Sequence, residues 1–134
     1  MRHCVLKRAG KPGLLMGLLS ALVRTRCIRT TVARAKLVRP VFEKLLTKAR
    51  KDQSLAGFRL LSSRLKSSKL ARTLIDEVVP MVGDRPGGYT SIIKLGQPRR
   101  GDSAREAIIS VINSEKVQIV GPKKTKTEEP KEAM

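Results

Sequence analysis

Aromatic residues are nearly absent from this 134-residue chain, which has no tryptophan, one tyrosine and two phenylalanines. Proteins that read single-stranded nucleic acid stack bases on several exposed rings. Phe42 and Phe58 sit at helical core spacing, so Tyr89 alone is left for that work. Histidine occurs once, at His3, and cysteine twice, at Cys4 and Cys27. That is too few ligands for a zinc site and too few thiols for a disulfide scaffold. No metal ion and no cofactor is expected. Catalytic sets are missing as well. His3 lies in a charged segment with no apolar period, and Asp76 and Glu77 are neighbours that point to different helix faces. Neither a Walker loop nor a G-x-G-x-x-G run occurs. The chain therefore reads as a non-enzyme with no catalytic residues and no small-molecule substrate.

Acidic residues are missing from one end. Residues 1–42 hold ten Lys/Arg and no Asp or Glu. Net charge is +10 over 1–42, +6 over 43–76 and +2 over 77–134, for a total of +18 and a pI near 11.0. Such an imbalance calls for a polyanionic partner, and the N-terminal third is its main electrostatic footprint. With so few rings, contact through phosphates and duplex shape is expected, not base-by-base stacking.

Long apolar runs are absent too. Gly13 to Val23 (GLLMGLLSALV) is the longest candidate and is too short to span a bilayer. It follows Arg2, Lys7, Arg8 and Lys11, as a secretory or transit signal would. Arg24, Arg26 and Arg29 come directly after it, however, and its leucines recur at helical spacing, so a buried amphipathic helix is expected and no membrane partner.

The organisation expected along the chain is a basic N-terminal arm over 1–12, an α+β core over 13–115 that binds the polyanion, and a disordered C-terminal tail over 116–134. Within the core, three to four helices should pack on a small sheet of two or three strands. Helix one is expected over 13–25, and Cys27 to Thr31 as a short strand or extended turn. Helix two should cover 33–51 with Val38, Val41, Phe42, Leu45, Leu46 and Ala49 inward, and Pro40 should either restart or kink it. A third helix capped by Asp52 or Ser54 carries Leu55, Phe58, Leu61 and Leu65. A fourth runs through Leu70, Leu74, Ile75 and Val78 and is ended by Pro80 and Gly83. Strands are expected at 89–95 and 107–112, joined by a long basic loop over 96–106.

Two stretches carry binding chemistry. Thr30 and Thr31 precede helix two, with Thr31 as a possible N-cap. Arg34, Lys36 and Arg39 follow, so free N–H groups, the helix dipole and cations meet near one helix start. The second stretch is Arg85-Pro86-Gly87-Gly88-Tyr89-Thr90-Ser91-Ile92-Ile93-Lys94-Leu95-Gly96. There Gly87 and Gly88 are expected to adopt a conformation, or to allow an approach, that a Cβ would block. The Tyr89 ring is expected either against the core or on RNA. Arg85, Lys94, Arg99 and Arg100 are expected to frame one basic surface. Arg100-Gly101-Asp102 is read as a turn in which the aspartate pairs locally.

These residues carry a resemblance. Met1-Arg2-His3, Ile28-Arg29-Thr30-Thr31 with Ala33-Arg34-Ala35-Lys36 and Arg39-Pro40, the Arg85–Gly96 block, Arg100-Gly101-Asp102 and Ala107-Ile108-Ile109 occur in the order and nearly the spacing of the bacterial-type ribosomal large-subunit protein seventeen family, which the chain resembles over about residues 1–112. The resemblance departs in the arm, where Ala9, Gly10 and Lys11 replace a Ser-His-Arg-like motif, and at Ser91, where the family has Arg. It implies an α+β structural constituent of the ribosome with no enzymatic role. Such a protein binds large-subunit ribosomal RNA beside neighbouring large-subunit proteins and supports subunit assembly and translation. The location implied is the large subunit of a cytoplasmic ribosome, with an organellar ribosome left open. The RNA-binding residues expected are Arg2, His3, Lys7, Arg8, Lys11, Arg24, Thr30, Thr31, Arg34, Lys36, Arg39, Arg85, Gly87, Gly88, Tyr89, Thr90, Lys94, Arg99 and Arg100. The alternative is a free-standing basic nucleic-acid-binding regulator. It would need a recognition helix with a row of base-reading side chains, and no helix here has one.

Overall fold

The computed structural model describes residues 10–112. The expectations for the arm, among them Arg2, His3, Lys7 and Arg8, and for the tail over 116–134 lie outside the described residues.

Helix α1 spans Gly10–Thr25 and so begins three residues before its expected start. Leu19, Leu22 and Val23 enter the core, while Leu15 and Leu18 pack partly buried against it. The apolar run is thus used in packing. No helix among the described residues is long and apolar enough to cross a membrane. The helix stops at Arg26, which adopts a left-handed φ of +61°. Its N–H donates to the Leu22 carbonyl at 2.9 Å, which closes the last turn. The Arg26 carbonyl then accepts from Val111 N–H at 2.9 Å, and its guanidinium pairs with Glu77.

Strand β1 (Cys27–Thr31) leads directly into helix α2 (Val32–Lys51). Ala35, Val38, Phe42, Leu45, Leu46 and Ala49 form the buried stripe of α2, with Val41 at its margin. The helix runs unbroken through Pro40. Proline there removes one N–H donor and frees a carbonyl one turn earlier. Pro40 and Lys36 are both exposed, so water reaches that group.

Asp52 and Ser54 both act at the next helix start. The Asp52 carboxylate accepts from the Ser54 N–H at 3.1 Å and from its hydroxyl, while Ser54 Oγ accepts from Gly57 N–H at 3.3 Å. Helix α3 (Leu55–Leu65) buries Leu61 and Leu65 and half-buries Phe58. Leu55, expected inward, is exposed because it occupies the first turn on the solvent side. Lys66 turns the chain with φ +51°, and Ser67 caps helix α4 (Ser68–Thr73) by accepting from Leu70 N–H.

The helical path continues beyond α4 through a wide turn at Leu74–Val78 into helix α5 (Val79–Val82). Val79 N–H donates to the Leu74 carbonyl five residues back. Pro80 therefore does not end the helix, as the sequence suggested. Proline lacks an N–H and crowds the carbonyl four residues before it, and the widened turn just upstream relieves both problems. Gly83, with φ +62°, is the true stop.

Strands β2 (Thr90–Pro98) and β3 (Arg105–Val111) complete an antiparallel sheet of order β1-β3-β2. The last strand in the chain is thus the central one. Ala107, Ile109 and Val111 point to the helices and are fully buried. Ile28 and Ile92 flank Ile109 in register. Helix α2 packs across all three strands, whereas α3 and α4 pack chiefly on each other, on α1 and, for α3, on α2. The result is an α+β fold with the core between α2 and the sheet.

Candidate nucleic-acid interface

Sheet register decides which basic residues meet. Thr31 pairs with Glu106, Lys94 with Ala107 and Pro98 with Arg105. The end of β1, the end of β2, the start of β3 and the β2–β3 loop therefore share one end of the sheet. Helix α2 starts there as well, because Val32 follows β1 without a linker. Exposed Arg34, Lys36, Lys94, Arg100 and Arg105 are gathered at this end. Arg105 was not among the candidates, because local sequence places it in the loop and not at the first position of a strand.

The acids at the same end are already neutralised within the protein. Glu106 is buried and accepts from Arg29 Nε at 2.9 Å, a diagonal pair across β1 and β3. Arg99 pairs with Asp102 across the loop, its Nε donating at 3.1 Å. Asp102 also accepts from Ala104 N–H at 3.2 Å. The Arg99 guanidinium and the Ala104 N–H hold the Asp102 carboxyl down to about 2. Asp102 does pair locally, as the turn reading expected. The loop itself is shorter than expected, because the strands extend to Pro98 and back from Arg105. Backbone bonds between Arg99 and Ala104 and between Ser103 and Arg99 close it.

Among the described residues, the five ion pairs all use arginine: Arg26, Arg29, Arg39, Arg50 and Arg99. Arg39 bonds Glu43 at 3.2 Å one turn along α2. Arg39 and Arg99, both candidates, are therefore engaged within the fold. Arg24, Arg34, Lys36, Arg85, Lys94 and Arg100 make no ion pair there. Lys11 lies in the first turn of α1.

Several candidates are buried or bonded inside the fold. The Tyr89 ring is 2% exposed and sits in the core beside Leu46, Val79 and Val82, so it offers no face to a partner. Thr90 is 3% exposed, and its hydroxyl donates to Glu43 Oε1 at 2.8 Å. Thr30 faces inward opposite Ala107 and is buried. Thr31 occupies the N-cap position of α2, but its side chain makes no capping bond. Gly88 takes φ +67°, which explains glycine there, whereas Gly87 has neither a positive φ nor an atom within 4 Å of the point where a Cβ would stand. Arg85 does not join Lys94 and Arg100. It precedes β2, whereas Lys94 stands at the middle of that strand, roughly 13 Å along from its start at about 3.3 Å per residue, and Arg100 lies beyond its far end. Arg85 instead stays at the opposite end, where its carbonyl accepts from Arg50 and where Arg50 also bonds Asp84 at 3.2 Å.

Cys27 is half-buried, and that burial pushes its thiol up. No group of three or more His, Cys, Asp and Glu able to hold a metal occurs among the described residues.

The family model for ribosomal protein L17 matches residues 14–112, nearly the whole described core. The chain belongs to the ribosomal protein L17 family. Among its relatives, a large ribosomal subunit protein bL17 from Persephonella marina is 44% identical over 103 residues, covering 76% of this chain and 82% of the relative. The bL17 of Solibacter usitatus is 38% identical across 96% of this chain and 89% of its own length. That of Neorickettsia sennetsu is 40% identical across 84% of this chain and all of its own length. The L17 match begins inside α1 and ends just after β3, so it takes in all three strands and the whole cationic end of the sheet.

Proposed function

We propose that this chain is a structural constituent of the large ribosomal subunit, bound to large-subunit ribosomal RNA and seated among other large-subunit proteins. Its work is to neutralise and brace folded RNA in assembly and translation, in the cytoplasm, and the role is structural, not enzymatic. One observation carries the reading. At the end of the sheet where α2 begins, Arg29 and Arg99 cancel Glu106 and Asp102, so Arg34, Lys36, Lys94, Arg100 and Arg105 face outward without a carboxylate partner among the described residues. The strands and helix beneath hold those charges in fixed places. Cations on rigid elements displace counterions from phosphates at low ordering cost. Tyr89 and Phe42 are buried and the half-buried Phe58 ring already carries the Arg72 guanidinium, which agrees with recognition by backbone and shape.

The test is the salt dependence of binding to structured RNA. If about 6–10 phosphates are neutralised, affinity falls roughly 10³–10⁵-fold between about 50 and 200 mM salt. Replacing Lys36, Lys94, Arg100 and Arg105 by Gln flattens the slope by about 3–4 units, and the variant fails to sediment with the large subunit. A salt response near zero in the wild-type chain overturns the reading.

A further inference from the structure

The chain leaves the described fold beside an open cleft. Ile112, one residue past β3, donates its N–H to the Tyr89 carbonyl at 2.9 Å. Tyr89 also lines a cleft of about 410 Å³, with Thr47, Arg50 and Lys51 from the last turns of α2 and Pro86 from the loop before β2. Sites that take a small ligand or a few side chains span roughly 300–1,000 Å³. Pro86 and Tyr89 make one wall apolar, and α2 makes the other cationic. Arg50 is spent on Asp84 and on the Arg85 carbonyl, whereas Lys51 is exposed and makes no ion pair among the described residues. Arg85, Pro86, Gly87 and Gly88 are all exposed, so the described fold leaves this loop uncovered. At Gly87 no atom stands within 4 Å of the point a Cβ would occupy, which leaves room for another backbone to come close.

The sequence that follows Ile112 matches this cleft. Asn113 and Ser114 favour a turn. Glu115 is the first acid after Glu106. Val117, Ile119 and Val120 are the only branched aliphatic residues from 113 to 134, and Gly121-Pro122 closes their run. In an extended segment Glu115, Val117 and Ile119 share one face, since side chains alternate with period two. One carboxylate followed by two aliphatic groups is the complement of Lys51 beside Pro86 and Tyr89. Tethering favours this occupant over others. Only Asn113 and Ser114 separate Ile112 from Glu115, and a short tether holds a segment at an effective concentration in the mM range. A second copy of the chain would approach against its own net charge of +18.

We propose that residues 115–120 dock in the cleft between α2 and the loop before β2, with the Glu115 carboxylate on Lys51 and with Val117 and Ile119 against Pro86 and Tyr89. The docked segment ties the end of β3 to the end of α2, holds the 85–88 loop in one position and masks Lys51. No RNA takes part in this contact, so it is measured on the free full-length chain. Amide hydrogen exchange and acetylation of lysines are followed by mass spectrometry. In the wild type, amides of 115–120 are expected to exchange about tenfold or more slowly than those of 124–134, and Lys51 is expected to be acetylated several-fold more slowly than Lys44, which is exposed on the same helix. The variant Glu115→Gln, Val117→Ser, Ile119→Ser is expected to bring Lys51 to the rate of Lys44. The variant Lys51→Gln, Pro86→Ser is expected to bring the amides of 115–120 to the rate of 124–134, which tests the cleft from its own side. Wild-type amides of 115–120 that exchange as fast as those of 124–134 overturn the proposal, as does protection that neither variant removes. Protection that appears only at concentrations where sedimentation shows a dimer also overturns it, in favour of a tail exchanged between two copies.

Discussion

The hydroxyl of Thr90, the first residue of β2, donates to Glu43 Oε1 on α2 at 2.8 Å, and Glu43 accepts from Arg39 Nε through the same oxygen at 3.2 Å. Sheet and core helix are joined by this bond at a point where both partners are shielded. A Thr in a Gly-Gly-Tyr-Thr block looks like a ligand contact, yet its polar atom is committed inside the protein. Thr90→Val keeps the shape and removes the donor. It is expected to cost about 1.5 kcal/mol, the lower end of the range for a bond to a charged group, because Glu43 keeps Arg39. Urea unfolding measures the loss, and RNA affinity of the folded variant should stay unchanged. Weaker RNA binding at unaltered stability would return Thr90 to the interface.

Two glycines in helices should respond with opposite signs. A Cβ on Gly57 would lie far inside van der Waals distance of the Asp52 carbonyl oxygen, and that oxygen belongs to the backbone. Gly57→Ala is expected to destabilise by about 1–2 kcal/mol, since overpacking outweighs the gain in helix propensity. Gly17 is exposed in α1 with nothing within 4 Å of the same position. Gly17→Ala is expected to stabilise by about 0.5–1 kcal/mol. Paired thermal melts decide both, and a gain at Gly57 would refute the close approach.

Leu22 is fully buried on α1, the helix that meets α2 and α4. Leu22→Ala should cost about 2–5 kcal/mol through lost transfer energy and the cavity left behind. The same change at exposed Leu55 should be close to neutral. If Leu22→Ala leaves the unfolding midpoint unmoved, the apolar run of α1 is not core.

Asp102 offers a pH readout. Its carboxyl is lowered from 3.8 to about 2 by the Arg99 guanidinium first and the Ala104 N–H second. For a carboxylate depressed in the folded state, the favourable contribution is present above its unfolded value and is lost as pH falls through the folded one. The β2–β3 loop should therefore keep its Arg99–Asp102 closure through the range where ordinary aspartates protonate and release it only near pH 2. A carbon NMR titration of the Asp102 carboxyl follows this directly. Arg99→Gln should move the midpoint back toward 3.8, and a midpoint already near 3.8 in the wild type would show the pair to be open in solution.

Much of the fold was legible in local patterns. The stripe Val38, Phe42, Leu45, Leu46 and Ala49 repeats with the helical period, and that period alone places α2. The short β-forming run from Ala107 to Ile112 likewise marks β3. The misreadings have a common form. Pro80 looked like a terminator because proline removes a donor, but the bond that rescues it, Val79 N–H to the Leu74 carbonyl, is a property of the upstream turn. Gly87 and Gly88 looked equivalent, and only the backbone dihedral separates them.

Composition, charge and period determined that this chain folds around an aliphatic core, lacks a catalytic set and meets a polyanion, because each of those properties is a sum over residues or a repeat along them. Tertiary structure decided which arginines are paired within the fold. Whether an arginine is spent on a carboxylate depends on distance in space, and Arg29 finds Glu106, Arg50 finds Asp84 and Arg26 finds Glu77 across separations of 77, 34 and 51 residues. The antiparallel register brings Lys94, Arg105 and the start of α2 to one end of the sheet and leaves Arg85 at the other, since a strand carries its two ends apart however close the residues stand in sequence.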